Sequence, residues 1–154
     1  ASTARGESNV RCLLYTLAQW TWGLPQNLAG AALWLCLGAE PRRRYHGALT
    51  ARWKPRMAGR GCLTLGMFIL LDGALPPGEL DRLLPHEYGH TVQSLLYGPL
   101  FLPAVALPSV LWAARYSRRH KRYTARGVRY TARYPEQQAN RLGLRVTGDE
   151  PINW

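Results

Sequence analysis

The amino-acid sequence predicts an α+β domain, and three observations carry that reading. Two apolar runs near the start are cut into helix-sized pieces by proline and glycine. Two short β-rich runs follow between turn signals, and a later helical stretch carries His86-Glu87-Tyr88-Gly89-His90. The 154 residues, 47% of them apolar, suffice for one compact unit with its own core.

Taken in order, residues 1–9 are polar and read as a flexible tail, and residues 10–154 as a single domain. Residues 12–22 and 28–37 are expected to form two helices joined through Gly23, Pro25 and Asn27, an apolar helical hairpin within 12–39. Residues 45–53 and 62–71 are rich in β-branched, aromatic and apolar side chains. Lys54-Pro55, Gly59, Gly61 and Asp72-Gly73 bound them, so they are expected to pair as a short β-hairpin. The second run, CLTLGMFILL, is too apolar for a strand with a wet face; Gly66 within it admits another backbone at close range. A proline and glycine loop leads to a helix starting near Leu80 or at Pro85 and ending at Gly98, with Pro99 just beyond. Residues 100–116 read as apolar and helical from Pro108 onward, 117–134 as a basic loop or irregular hairpin, and 135–142 as a short helix opened by proline.

Charge is unevenly placed. The net charge is +11, yet residues 12–39 and 88–114 contain no Asp, Glu, Lys or Arg. Each stretch is interrupted before it reaches the ~20 apolar residues that a bilayer crossing needs. Buried core helices and shallow or re-entrant insertion both fit the pattern, and Trp20, Trp22 and Trp34 suit either a packed helix pair or a membrane interface. A basic block follows each stretch: Arg42, Arg43, Arg44, Arg52, Lys54, Arg56 and Arg60, then eight Lys or Arg from Arg115 to Arg133. That order matches segments facing an anionic membrane surface, and equally a solvated basic face; nucleic acid is the less favoured partner, because no nucleic-acid motif accompanies the charge. Cys12, Cys36 and Cys62 form no C-x-x-C pair, which argues against a disulfide framework or a cysteine zinc site and for a reducing compartment. The polar start ASTARGESNVR does not read as a cleavable signal. The expected location is cytoplasmic or membrane-associated, with the basic loops on the cytoplasmic side.

The chemistry concentrates in H-E-x-x-H. On a helix, the i, i+4 spacing of His86 and His90 places both imidazoles on one face about one turn apart, where they can share a tetrahedral ion, expected to be Zn2+. Glu87 stands beside that face as the candidate base for a zinc-activated water. A catalytic zinc takes a third protein ligand. Glu136, at the start of the 135–142 helix with Asn140 one turn later, is the leading candidate; His46, His120, Asp72 and Asp149 are the others. Tyr130 and Tyr134 lie near Glu136 as candidate hydrogen-bond donors to an oxyanion. Gln93 follows the second histidine on roughly the same helical face and is a candidate cleft-lining residue.

With these residues the sequence resembles the zincin metallopeptidases, in particular the gluzincins, whose third ligand is a glutamate on a later helix in an E-x-x-x-D or E-x-x-A-D pattern. The resemblance implies a compact zincin-like domain, peptide-bond hydrolysis, Glu136 as third ligand, and Asn140 in the place of the acidic residue that orients a ligand histidine. Asparagine for aspartate is a departure, because a neutral amide cannot stabilise an imidazole as a carboxylate does. The resemblance also implies a cleft-bordering strand along the substrate, a role that falls to Leu65 and Gly66 in the 63–70 run. The longer string HEYGHTVQSLLYGPLFLPAVALPS is similar to a group of small bacterial proteins in which HEYGH is followed by QS, GPL and PS; the similarity runs from about Asn27 to Gly143 and supplies no substrate. The expectation is therefore a bacterial zinc metallopeptidase acting on a peptide or protein. Its rivals are a zinc-binding module without turnover, and a basic membrane-surface or nucleic-acid-binding protein. An intact Glu87 counts against the first rival, since a structural site needs no base.

Overall fold

A computed structural model describes residues 2–37, 40–52 and 61–152. Helices α1 (Ser2–Thr21) and α2 (Leu24–Leu37) precede strands β1 (Glu40–Tyr45), β2 (Ala48–Arg52), β3 (Leu63–Leu65) and β4 (Phe68–Leu71). Helix α3 (Pro77–Tyr97) follows, then a 3-10 turn (Gly98–Leu100), a π turn (Leu102–Ala106), α4 (Leu107–Arg118), α5 (His120–Ala125), a second 3-10 turn (Tyr130–Ala132) and α6 (Glu136–Thr147). The fold is mixed helix and strand, as the α+β expectation has it. Trp53, the Lys54-Pro55 and Gly59 turn signals, and Lys54, Arg56 and Arg60 of the first basic block lie outside the described residues.

Several expected boundaries are corrected. Residues 2–9, which the sequence reads as a tail, continue α1 toward the N-terminus: once the 12–21 segment has nucleated the helix, extending it costs little. The two β-rich runs do not pair as one hairpin. The second run folds on itself, β3 against β4, whereas the first supplies β2, whose antiparallel partner β1 is the segment just before it; the two hairpins join through a parallel β2–β4 pairing, giving the sheet order β1-β2-β4-β3. Strand β4 is thus internal and buried throughout, which accounts for the unbroken FILL. Alternation sorts its side chains by face. Ile69 and Leu71 pack with Leu80, Leu83, Leu84 and Tyr88 of α3, while Leu70 meets Leu33, Trp34 and Leu37 of α2. Each such aliphatic side chain stabilises the fold by roughly 1.5–3 kcal/mol relative to exposure.

Helix α3 starts earlier than expected. Pro77 occupies its first turn, and Pro85 lies inside it; the hydrogen bond that Pro85 cannot make is offset by Leu80, Leu83 and Leu84 packed on the sheet. The helix stops at Gly98, as the sequence indicates. The 117–134 stretch is not a loop. Most of it is helical, because Trp112, Tyr116, Tyr123 and Tyr130 stack into one ring cluster that gives the basic segment an apolar side. Helices α1 and α2 are tied to α3 by buried amides. Gln19 Nε2 donates to Thr91 O (3.0 Å), Ser94 Oγ donates to Gln19 Oε1 (3.0 Å), and Gln26 Nε2 donates to Ser94 Oγ (2.9 Å). Among the described residues, no helix is long and apolar enough to cross a membrane.

The contact that positions the site is the crossing of α3 and α6. A Cβ on Gly89 would collide with the carbonyl of Ala139, and one on Gly143 with the carbonyl of Pro85. Glycine at both positions lets the two backbones touch. Gly89 sits within HEYGH itself, so the motif carries both the imidazoles and the gap that admits the helix bearing Glu136.

Candidate metal centre

His86, Glu87 and His90 are all buried on the inner side of α3, and Glu136 is buried at the first turn of α6. One atom from each of His86, His90 and Glu136 lies within 4.8 Å of the others. Both imidazoles aim Nε2 at the same carboxylate oxygen, with His86 Nε2 at 3.1 Å and His90 Nε2 at 3.3 Å from Glu136 Oε2. The other carboxylate oxygen, Oε1, accepts a hydrogen bond from Ser109 Oγ at 2.6 Å, which fixes the rotation of Glu136.

The far side of each imidazole decides what the near side can do. His86 Nδ1 lies 2.6 Å from Asn140 Oδ1, and His90 Nδ1 lies 2.7 Å from Gln93 Oε1. The amide nitrogen of Gln93 is spent on Pro135 O (3.0 Å) and Gln138 Oε1 (2.8 Å), and that of Asn140 faces Ile152 O (3.4 Å). Only amide oxygens therefore face the imidazoles, so each ring donates from Nδ1 and, when neutral, presents a lone pair at Nε2. Two nitrogen lone pairs and a carboxylate converge on one buried point. Three acceptors cannot satisfy one another, and a cation at their centre resolves the repulsion. The donor set suits a metal ion of the kind held by imidazole and carboxylate, so this buried His-His-Glu group could hold one.

Without a metal, a proton takes that place. Burial alone would lower the His90 pKa, but the hydrogen bond and charge of Glu136, reinforced by Glu87, override it and raise it to about 9. Burial likewise pushes Glu136 upward, and the hydrogen bonds from His86 and His90 outweigh it, holding the carboxyl far below its ordinary range.

Glu87 stands beside the triad and is held by a group that the sequence did not single out. Thr64 Oγ1 donates to Glu87 Oε2 at 2.6 Å. Thr64 pairs across the sheet with Ile69, whose side chain faces α3, so the register aims the hydroxyl at the HEYGH helix. A cavity of about 500 Å³ opens over His86, Glu87, His90 and Glu136, bounded by Leu63 and Thr64 on one side and by α4 on the other.

Other expected site residues fall in different places. Tyr130 lines the cavity; its hydroxyl is held protonated first by burial and then by the charges of Glu136 and Glu87. Tyr134 is exposed and donates to Ala104 O at 2.6 Å, away from the triad. Leu65 and Gly66 do not border the cavity. Leu65 points to the opposite face of the sheet and packs with Phe101 and Val105, and Gly66 makes the β3–β4 turn at φ +59 against Asn27. The cleft edge of β3 is instead Leu63 and Thr64. Gln93 is fully buried behind His90 and lines no cleft. Of the alternative ligands, His120 reaches only the cavity lining, while Asp149 accepts from Tyr45 Oη, Asp72 accepts from Gly61 N, and His46 lies tilted against the Tyr88 ring.

Thr64 and Ser109 were missed, and so was the ring-orienting role of Gln93. Signals for them were present: Thr64 is the one hydroxyl in CLTLGMFILL, Gln93 opens the QS pair that follows HEYGH, and Ser109 is the polar member of the later PS pair. Comparison of the chain with protein-family models, with curated proteins and with solved structures found no significant match.

Proposed function

We propose that the chain is a zinc-dependent metallopeptidase in which His86, His90 and Glu136 hold the ion and Glu87 is the general base. The observation that carries this reading is the convergence of three lone-pair donors beside a separately held carboxylate in one cavity. A purely structural site would close on its metal, whereas this group faces a space large enough for a substrate side chain.

Zinc in that position supplies an electrophile that brings the pKa of water near neutrality and polarises a carbonyl. The remaining work falls to the chain. Asn140 and Gln93 hold the imidazoles by Nδ1, and Ser109 holds Glu136 by Oε1, so the ligands are preorganised. Thr64 occupies Glu87 Oε2 and keeps the carboxylate turned to the cavity, where it takes a proton from the attacking water and passes it to the departing amine. Tyr130, kept protonated, donates a hydrogen bond toward the developing oxyanion. Leu63 and Thr64 on the edge strand β3 are the backbone against which an extended peptide would lie.

The test is Glu87→Gln, assayed on a quenched-fluorescence peptide library alongside metal analysis. The variant should bind zinc as the parent does and lose on the order of 10²–10⁴-fold in turnover, because an amide cannot accept the proton. Equal turnover would end the general-base assignment, and a zinc-loaded parent that cleaves nothing would favour a binding module.

A further inference from the structure

We propose that helices α4 and α5 form a docking surface for an anionic lipid bilayer, placed beside the cavity of the His86–His90–Glu136 site. Leu107, Val110 and Leu111 are 54%, 53% and 60% exposed, and their i, i+3, i+4 spacing makes one apolar stripe along the outside of α4. Directly after it come Arg115, Arg118, Arg119, Lys121 and Arg122, all exposed. The chain has no Asp or Glu from Tyr88 to Pro135, and among the described residues no carboxylate pairs with these five.

The arm is a defined shape rather than a loose basic tail. Trp112 Nε1 donates to Tyr130 O (2.9 Å), Tyr116 Oη donates to Val128 O (3.2 Å), and Arg115 Nε donates to Tyr123 Oη (2.9 Å). Arg133 lies over the Trp112 ring, 5.0 Å from its centroid. Apolar stripe and cationic cluster are therefore held in a fixed relation.

Charge selects the occupant. A second copy of this chain docking arm to arm would bring like charges together, and a nucleic acid would use the cations but leave the leucine stripe wet. An anionic bilayer satisfies both, with headgroup phosphates at the basic side chains and acyl chains below them. Val110 and His120 belong to the arm and also line the cavity, so docking would set the cavity edge at the lipid surface. The binding claim stands apart from the peptidase reading; if both hold, the favoured substrates are peptides lying on or emerging from the membrane.

The experiment is co-sedimentation of the full chain with phosphatidylcholine vesicles, with and without phosphatidylglycerol, at low and high salt. Binding is expected only to the anionic vesicles. Each of Arg118→Gln and Arg119→Gln should weaken it about fivefold. Leu107→Ser combined with Leu111→Ser, both on the outside of α4, should abolish the part that persists at high salt. The matched pair Leu13→Ser and Leu17→Ser, on the exposed side of α1, should change nothing. Failure to bind, equal binding to neutral vesicles, sensitivity to the α1 pair instead of the α4 pair, self-association in place of vesicle binding, or tighter binding to single-stranded nucleic acid would each overturn the proposal. None of these readouts depends on turnover or on metal.

Discussion

Helices α3 and α6 meet backbone against backbone, whereas α4 and α5 are joined through stacked rings. In the first pair, glycine removes the spacing that side chains would impose, and the polar groups inside are paired with named partners. In the second, Trp112 and three tyrosines keep the helices together while leucines and arginines remain outside. Tolerance to substitution therefore differs between the two pairs. A site built from close approach has no slack, because a small displacement of α6 takes Glu136 out of reach of both imidazoles. An arm built from rings presents a surface whose outer residues can change without moving its frame.

The largest expected effect follows from that absence of slack. Gly89→Ala places a methyl group against the Ala139 carbonyl, where neither backbone can yield without parting the helices. A loss of ~3 kcal/mol or more in denaturant unfolding is expected, together with loss of metal affinity. Arg119→Gln, on the exposed arm, should move stability by no more than ~0.5 kcal/mol. Equal effects from the two would erase the contrast.

Next in size are the amides behind the imidazoles. Gln93→Ala and Asn140→Ala should each lower zinc affinity by about 10–100-fold, read by competition with a chromophoric chelator, while leaving all three ligands in place. Asn140→Asp should match or exceed the parent affinity, since a carboxylate orients an imidazole more strongly. Should Gln93→Ala bind zinc like the parent, the orienting role would pass to another group.

The smallest effect is a dependence on pH. In the metal-free protein, the His90 pKa lies above its ordinary 6.5, so its stabilising contribution is complete below about pH 6.5 and is lost as pH rises toward 9. Glu136 is displaced the other way from its ordinary 4.5, so its contribution is present above that value and is lost in acid. Metal-free protein should thus be most stable between those limits. Zinc must displace the proton, so its affinity should rise by up to about tenfold per pH unit until near pH 9. Thermal unfolding with and without zinc across that range checks both signs, and a flat affinity would contradict the shared proton.

Local pattern was legible in the sequence, and non-local pairing was not. The i, i+4 spacing of His86 and His90, the stop at Gly98 and the helix opening at Glu136 are written within single turns. Proximity of Glu136 to the imidazoles depends on Gly89 and Gly143 together, residues that carry no chemistry of their own. The parallel β2–β4 pairing skips over β3 in the chain, which neither run advertises. Thr64 and Ser109 act on Glu87 and Glu136 from elements distant in sequence, so their roles appear only once sheet register and the placement of α4 are known. The basic charge between Arg115 and Arg133 hid the ring periodicity that makes the arm helical.

Whether His86, His90 and Glu136 form one metal centre is read from zinc-edge X-ray absorption on the loaded full chain, with Glu136→Ala measured alongside. About one zinc per chain is expected, bound by two imidazole nitrogens and a carboxylate oxygen, with the carboxylate contribution lost and affinity sharply reduced in Glu136→Ala. A sulfur ligand, a single imidazole, or full affinity in Glu136→Ala would contradict it.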